Sequence, residues 1–503
     1  MPSLLGIDNG LTVSKAVLFD VDGRQIAVAR RRVPQLMPQA RFVERDMTTL
    51  WSATAEAIAD VIAQSGRPAS DIACIAATAH GDGLYLLDGD RQPLGPGILS
   101  LDSRAGDIVD AWSSDGFFEQ ALAVTGQVPH SSAPSALLVW IARNDPDRFS
   151  RIAHVFGAKD WLRFCLTGTI GTDRTEASTA FTDPHTQTYS ADALALFGLS
   201  GLRNALPEIG DPASLAGTVT PDAAKRTGLV EGTPVAFGLH DVTASALGIG
   251  GQREGAVDIV AGTYSINQVV SDVPRSDPRW FCRNAIKDRQ WNNMSISPAS
   301  AANYDWFLDT LCQTDKASDG DAIHATVAAE INAALARDST VLFHPFLFGS
   351  PHGNGASGSF LGLHGWHDRG DMLRAVLEGI AFNHRTHVDA LREGFSFTQA
   401  RLTGGASRNP AFAQMMADVL NLPVTVTETE EAAAWAAALC AGTAVGLFDS
   451  VYDDPRGATL GTQDYFPVEE TAARYDARFA VWNRAVSALK PLWPDIENLG
   501  DIH

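Results

Sequence analysis

Short apolar runs open the chain. Residues 4–7 and 16–19 read as β-strands joined by a turn of Gly, Asn and Thr, and Asp22-Gly23 makes a second hairpin turn into a strand over 25–33. The spacing then turns helical. From about Met47 to Gln64, Trp51, Ala55, Ile58 and Ile62 share one face, with Leu50 and Val61 beside it. Residues 72–77 return to a continuously apolar run, the pattern of a buried strand. Halfway along, strand-like runs at 256–260 and 265–270 flank the turn Ala261-Gly262-Thr263-Tyr264, and Gly262 follows Gly10 by 252 residues. These hairpins read either as an internal duplication or as two unrelated turns. The last third alternates: strands at 341–346, 400–403 and 424–426, helices at 370–393, 410–420 and 431–445. That alternation predicts an α/β sheet with helices on its faces.

Length sharpens this into two domains, because 503 residues exceed what one core usually supports. No low-complexity linker separates the halves, so they are expected to pack together with a cleft between them as the default ligand site. Apolar residues at 45% and charged residues at 19% suit a folded globular chain. With 38 basic and 59 acidic residues the formal charge is −21, which disfavours nucleic acid and anionic membranes as partners. A small anionic ligand remains compatible, since local backbone donors can outweigh a distant net charge. Cys74, Cys165, Cys282, Cys312 and Cys440 lie far apart, which points to free thiols in a reducing cytoplasm rather than disulfides or zinc. The opening residues lack a signal-peptide pattern, and residues 432–448, the most apolar stretch, read as a buried helix. The expected setting is cytoplasmic, with no membrane partner.

Four motifs carry candidate chemistry. Asp8-Asn9-Gly10-Leu11-Thr12 caps the first hairpin: its glycine and backbone amides suit phosphate, Thr12 adds a hydroxyl, and Asp8 suits Mg²⁺ directly or through water. A plain Asn-Gly turn is the competing reading. Gly262-Thr263 is the matching turn of the second half, so that one glycine turn per half could clamp a polyphosphate. In Gly238-Leu239-His240-Asp241 a carboxylate sits where a strand feeds a helix, placed to take a proton from a hydroxyl and kept ionised by the helix N-terminus; an ordinary capping aspartate is the alternative. Thr403-Gly404-Gly405-Ala406-Ser407-Arg408-Asn409 joins a strand to a helix. Its glycines admit a flat ring such as adenine, unless the loop is merely tight and capped by Asn409. The GxGxxG match at 353–358 lacks a following helix, and the pairs His364/His367 and His384/His387 read as solvated or core histidines rather than metal ligands.

Together these residues resemble the FGGY family of carbohydrate kinases over nearly the whole chain. The most specific stretch runs from Gly358-Ser359-Phe360-Leu361-Gly362-Leu363 to Asp371-Met372-Leu373-Arg374-Ala375-Val376-Leu377-Glu378 and is similar to the family's C-terminal signature. Gly6 to Gly10 with Lys15 to Asp20 resembles its first phosphate loop, residues 42–51 (FVERDMTTLW) its Trp/Glu/Asp stretch, and Ala158-Lys159-Asp160-Trp161-Leu162 with Leu166-Thr167-Gly168 a further segment. The chain departs from the pattern at Leu11, Phe42, Ala136, Ala433 and Ala436.

The resemblance implies two actin-like ATPase (ribonuclease H-like) domains, 1–247 for the sugar and 248–503 for the nucleotide, and transfer of the γ-phosphate of ATP to a sugar or polyol hydroxyl. Asp241 is then the general base and Asp8 the Mg²⁺ residue. Asn9, Gly10, Thr12, Lys15, Gly262 and Thr263 serve the phosphates, and Gly404, Gly405 and Asn409 border the adenosine. His80, Gly81, Asp82, Asp102, Arg104 and His240 join Asp241 at the substrate. The implied acceptor is a pentulose such as xylulose or L-xylulose, with erythritol, glycerol or another alditol as the alternative, and a homodimer is an allowed assembly. The reading of a different class is a non-catalytic actin-like module that binds nucleotide or sugar.

Overall fold

The computed structural model describes residues 1–312, 322–353, 355–429, 431–458 and 460–499. Asn354, inside the glycine run at 353–358, lies outside the described residues. The elements that matter for function are β1 (Ser3–Asn9), β2 (Val13–Asp20), β3 (Gln25–Arg32), α1 (Met47–Ser65), β4 (Ile72–Ala79), α2 (Ala158–Thr167), β5 (Pro234–Ala236), α3 (Asp241–Leu247), β6 (Ala256–Ala261), β7 (Ser265–Ser271), α4 (Arg369–Gly394), β8 (Gln399–Thr403), α5 (Pro410–Leu420), β9 (Val424–Thr427), α6 (Ala432–Ala444) and β10 (Thr462–Tyr465).

Local chemistry sets the helix limits. Asp46 caps α1 by accepting a hydrogen bond from the Thr49 amide at 2.6 Å, and the buried face includes Leu50, Trp51, Ala55, Ile58 and Val61. Asp368 and Asp371 form a reciprocal capping box at the start of α4. No helix among the described residues is long and apolar enough to cross a membrane.

The chain forms two compact units. The first comprises Met1–Gln252 with Val270–Asn293 and Thr429–Leu460, and the second Arg253–Val269, Met294–Glu428 and Gly461–His503. Two segments from the second half of the sequence thus belong to the first unit. One of them holds α6, whose Trp435 packs edge-on against Phe19 and donates to Asp454 at 3.1 Å.

Within the first unit, β2 pairs antiparallel with β1 and β3, β1 lies parallel to β4, β4 parallel to β5, and β5 antiparallel to the strand Leu215–Thr218. Within the second, β7 pairs antiparallel with β6, β6 parallel with β8, β8 parallel with β9, and β9 antiparallel with β10. The same order and directions recur, which favours the duplication reading over two unrelated hairpins. Each sheet is mixed, with apolar strands between helices, as the alternating pattern requires.

Candidate active site

Strand register assembles the candidate residues of the first unit. Asp8 stands beside Thr78, and Thr78 beside Leu239; one residue on, Asn9 stands beside Ala79, and Ala79 beside His240. Three strands therefore end at one sheet edge, and the chain leaves them as Gly10, as His80-Gly81-Asp82, and as Asp241. Carboxyl ends of parallel strands are where open α/β sheets place ligands.

At the first turn, the Gly10 amide donates to the Val13 carbonyl at 2.9 Å. Gln35 donates to Leu11 O at 3.0 Å, and the amide of Val33 donates to Thr12 O at 2.9 Å. Arg45 donates to Asn9 Oδ1 at 3.1 Å, to Gly10 O at 3.4 Å and to Leu11 O. Thr12 is exposed and Gly10 half-buried, so this turn presents backbone and a hydroxyl outward. Arg45 is fully buried, and burial lowers its pKa despite a bond to Tyr85. The sequence reading missed it; its signal was the charged pair Glu44-Arg45 inside an otherwise recognisable stretch. Asn9 is fully buried, so any part it takes at a nucleotide passes through Arg45 and the turn it braces.

Lys15 joins two acids, with Nζ 3.4 Å from Asp8 Oδ2 and 2.9 Å from Glu431 Oε2. Arg30 also meets Glu431, at 2.5 Å. Burial raises the Asp8 pKa, Lys15 opposes this, and Glu431 adds to it.

Asp241 opens α3, with its side chain 32% exposed. Its pKa is pushed up to about 7, first by burial and then by the nearby Asp8 charge, with the Val242 amide pulling the other way. The expectation that the helix N-terminus keeps this carboxylate ionised is therefore cut back: α3 has seven residues, and the pull of its amides is outweighed by burial and the Asp8 charge. A carboxylate poised near neutrality suits reversible proton transfer. His240 caps α3 by accepting from the Val242 amide at 3.3 Å, and its Nδ1 is 3.5 Å from Asp241 Oδ1. Burial, followed by the charge of Arg283, lowers His240 to about 4, so the ring is neutral at pH 7.

Gly81 is demanded by this geometry. A Cβ there would fall 1.6 Å from His240 Nε2, so any other residue would force the His240 ring out of its place. His80 is buried, 3.2 Å from the Tyr85 hydroxyl, and lowered to about 3 by burial and Arg45. Asp82 adopts φ 55° and meets Arg283, with Nη2 donating to Oδ1 at 2.8 Å and Nη1 to Oδ2 at 3.3 Å. Burial alone would raise Asp82, but Arg283 and then His130 hold it well below the usual carboxylate range.

Asp102 and Arg104, expected at the substrate, are turned toward each other. Arg104 donates to Asp102 Oδ1 at 2.9 Å and Oδ2 at 2.7 Å, and to Glu44 Oε1 at 2.7 Å, while Asp102 accepts from the Val43 amide at 2.7 Å. Their side chains are 0% and 2% exposed, and the guanidinium lies 3.8 Å over Phe42. They brace the segment that delivers Arg45.

A second buried network, also missed, supports the third strand end. Lys159 Nζ lies 2.6 Å from Asp160 Oδ1 and 3.0 Å from Asp173 Oδ1; Asp173 accepts from Thr175 Oγ1 at 2.5 Å, and Thr175 accepts from the His240 amide at 3.0 Å. Isolated buried charges would be costly, so pairing makes this chain of contacts a rigid mount for His240 and Asp241.

Within the second unit, the register of Val260 with Thr403 brings the turns at Gly262 and Gly404 to one edge. Gly262 O accepts from the Ala301 amide at 2.9 Å, and Thr263 is exposed. Gly404 has φ 101°, and a Cβ there would meet Ala261 O at 2.4 Å, whereas a Cβ on Gly405 would meet nothing within 4 Å. Asn409 caps α5, accepting from the Ala411 amide at 3.0 Å. His364 is exposed and stacked on Trp366, while His384 and His387 are buried among serines and asparagines.

Comparison with known proteins decides the family. Residues 3–248 match the N-terminal domain, and 257–445 the C-terminal domain, of the FGGY family of carbohydrate kinases. The chain belongs to this family. It is 32% identical over 491 residues to an L-xylulose/3-keto-L-gulonate kinase of Escherichia coli (strain K12), covering 97% of each chain. It is 30% identical over 512 residues to an erythritol kinase of Brucella abortus (strain 2308), again covering 97% of each. A crystal structure of xylulose kinase from Rhodospirillum rubrum superposes with a TM-score of 0.86 at 29% identity, over 98% of this chain and 99% of that one. As an FGGY carbohydrate kinase, the chain is an actin-like phosphotransferase with an alcohol acceptor, and its family implies ATP as donor.

Proposed function

We propose that this kinase phosphorylates a small sugar or polyol, a pentulose such as L-xylulose or xylulose being the favoured acceptor and erythritol, glycerol or another alditol the alternative, with Asp241 as general base. The observation that carries this reading is the convergence of Asp8, His80-Gly81-Asp82 and Asp241 at one sheet edge, with Asp241 near neutrality. His80 and Asp82 hydrogen-bond acceptor hydroxyls beside Asp241. Asp241 accepts the hydroxyl proton as that oxygen bonds to the γ-phosphorus of ATP, the bond from phosphorus to the β-γ bridging oxygen breaks, and ADP leaves. The proton returns to solvent through the exposed third of Asp241.

A single partly exposed carboxylate, Asp8, suits Mg²⁺ as one oxygen ligand, the ion's remaining ligands being supplied by phosphate and water. Burial and then the Asp8 charge raise Asp241, and Asp8 keeps 17% of its side chain exposed, so Asp8 is the residue that would hold a divalent cation, whose charge would ease that repulsion. Bound there, the ion would neutralise charge on the phosphates. Within the first unit, taken by itself, Gly10, Thr12 and Lys15 are the proposed nucleotide residues; within the second, taken by itself, Gly262, Thr263 and Gly405 are. Gly404 and Asn409 shape the loop beside them.

Coupled ADP release tests the reading across ketoses, alditols and sugar acids, including L-xylulose, xylulose, erythritol and 3-keto-L-gulonate. Strong stimulation by a neutral pentulose or tetritol is the expected result. ATP binding without stimulation by any of them would instead favour a non-catalytic module.

A further inference from the structure

We infer that the Asp82–Arg283 pair makes this a site for neutral sugars that excludes sugar acids, with Asp82 as the residue that enforces the choice. The inference rests on the proposed sugar site and goes beyond it by fixing the charge class of the substrate.

Arg283 comes from Val270–Asn293, a segment of the first unit that no motif flagged. Its side chain is 2% exposed and fixed on three sides. Nε donates to Gln127 Oε1 at 3.0 Å, and Gln127 is itself oriented by donating to Ser178 O at 2.9 Å. The two Nη groups grip both oxygens of Asp82, and the guanidinium lies 4.8 Å from the centre of the Phe281 ring. A forked pair of this kind is strong and directional. It leaves Asp82 ionised, with lone pairs free to accept hydroxyl protons, on a side chain that is 17% exposed.

The pairing has a consequence for charge. A substrate carboxylate needs an uncommitted cation, and the lysines and arginines acting on this group of residues are all engaged, while the ring of His130, 3.6 Å from Asp82 Oδ1, is turned to Asp82 itself. Arg283 holds Asp82, Lys159 holds Asp160 and Asp173, Lys15 holds Asp8 and Glu431, and Arg45 is enclosed by the carbonyls of the first turn. His80 and His240 are neutral at pH 7. An acid placed beside Asp82 would instead meet Asp82, Asp8 and Asp241 with no partner of its own, and uncompensated like charges oppose binding strongly. Removing the charge at 82 reverses the balance: it releases a buried, oriented guanidinium of the geometry that carboxylates prefer.

The test compares kcat/KM for L-xylulose and for 3-keto-L-gulonate, a neutral ketose and a sugar acid, in wild type, Asp82→Asn and Asp82→Asn/Arg283→Met. Wild type should favour the neutral ketose, and 3-keto-L-gulonate should not inhibit its phosphorylation. Asp82→Asn should shift the ratio toward the acid by about tenfold or more, and the added Arg283→Met should abolish that gain. Wild type that uses or binds both compounds equally well overturns the inference while leaving the kinase reading intact. This arm needs no variant to fold. An unchanged ratio in a folded Asp82→Asn protein also overturns it. Absence of turnover on any neutral sugar would remove the underlying reading instead.

Discussion

At Asp241, proximity to Asp8 and burial do opposite work to the helix N-terminus, and their excess sets the acidity. The folded carboxyl titrates at about 7 against 3.8 for an unperturbed group. A raised carboxylate pKa means the native state retains a proton that the unfolded chain has lost, so stability is greatest below the unfolded value and declines as pH rises through the folded one. Asp241→Asn removes that penalty. Its Tm advantage over wild type should grow from pH 4 to pH 7 and level off above, measured by thermal denaturation in matched buffers; an advantage independent of pH would show that Asp241 is not perturbed in this direction. The same titration predicts that kcat/KM of the wild type falls on the acid side of about pH 7. The type and place of this residue were legible in the sequence, because Gly-Leu-His-Asp after an apolar run announces a strand end. Its acidity was not, because Asp8 lies 233 positions away in the chain and only the sheet register brings it near.

Elements explain what else could be read and what could not. Strand and helix limits emerged from periodicity because each element buries one continuous apolar face: α5 begins and ends where the pattern placed it, and β4 and β8 differ by one or two residues. Buried polar networks left no comparable trace. Arg45, Lys159, Asp173 and Arg283 are scattered charges in sequence, and only the fold pairs them. The histidines of α4 show the same limit. His384 Nδ1 lies 3.0 Å from Ser265 Oγ and 2.8 Å from Asn267 Oδ1, with Nε2 3.3 Å from Ser300 Oγ; His387 lies 2.7 Å from Ser295 Oγ and 2.9 Å from Ser297 Oγ. Burial holds both near 3, against 6.5 when unfolded. The unfolded chain therefore gains protons first on acidification, and stability present above pH 6.5 is lost as pH falls toward the folded values. The double variant His384→Asn/His387→Asn should be less stable than wild type at pH 8, by roughly 1–3 kcal/mol per orphaned bond network, yet lose less on going from pH 7 to pH 5. Parallel stability–pH curves would contradict this account of the network.

For the whole molecule, chain order and fold order diverge. The boundary expected at 247/248 follows the halves of the sequence, whereas the first unit also takes Val270–Asn293 and Thr429–Leu460. Helix α6, from the latter, is almost wholly buried and shares a core with Leu4, Val17, Cys74, Ala76 and Leu247. A fragment of residues 1–252 alone would expose that apolar surface and leave Asp82 without Arg283, so it should aggregate or lack cooperative unfolding; a soluble fragment with a sharp transition would refute the discontinuous core. The net charge of −21 takes on a local meaning in the same light. Acidic groups crowd the proposed site, and their committed partners are what the proposed selectivity for neutral acceptors rests on. The central claim is that Asp241 is the base of a sugar kinase, and sugar-stimulated ADP release by wild type and Asp241→Asn, with ATP binding measured in parallel, tests it most directly. Loss of about 10²–10⁴ in kcat with ATP affinity retained is the predicted result. Near-normal kcat in Asp241→Asn would contradict it.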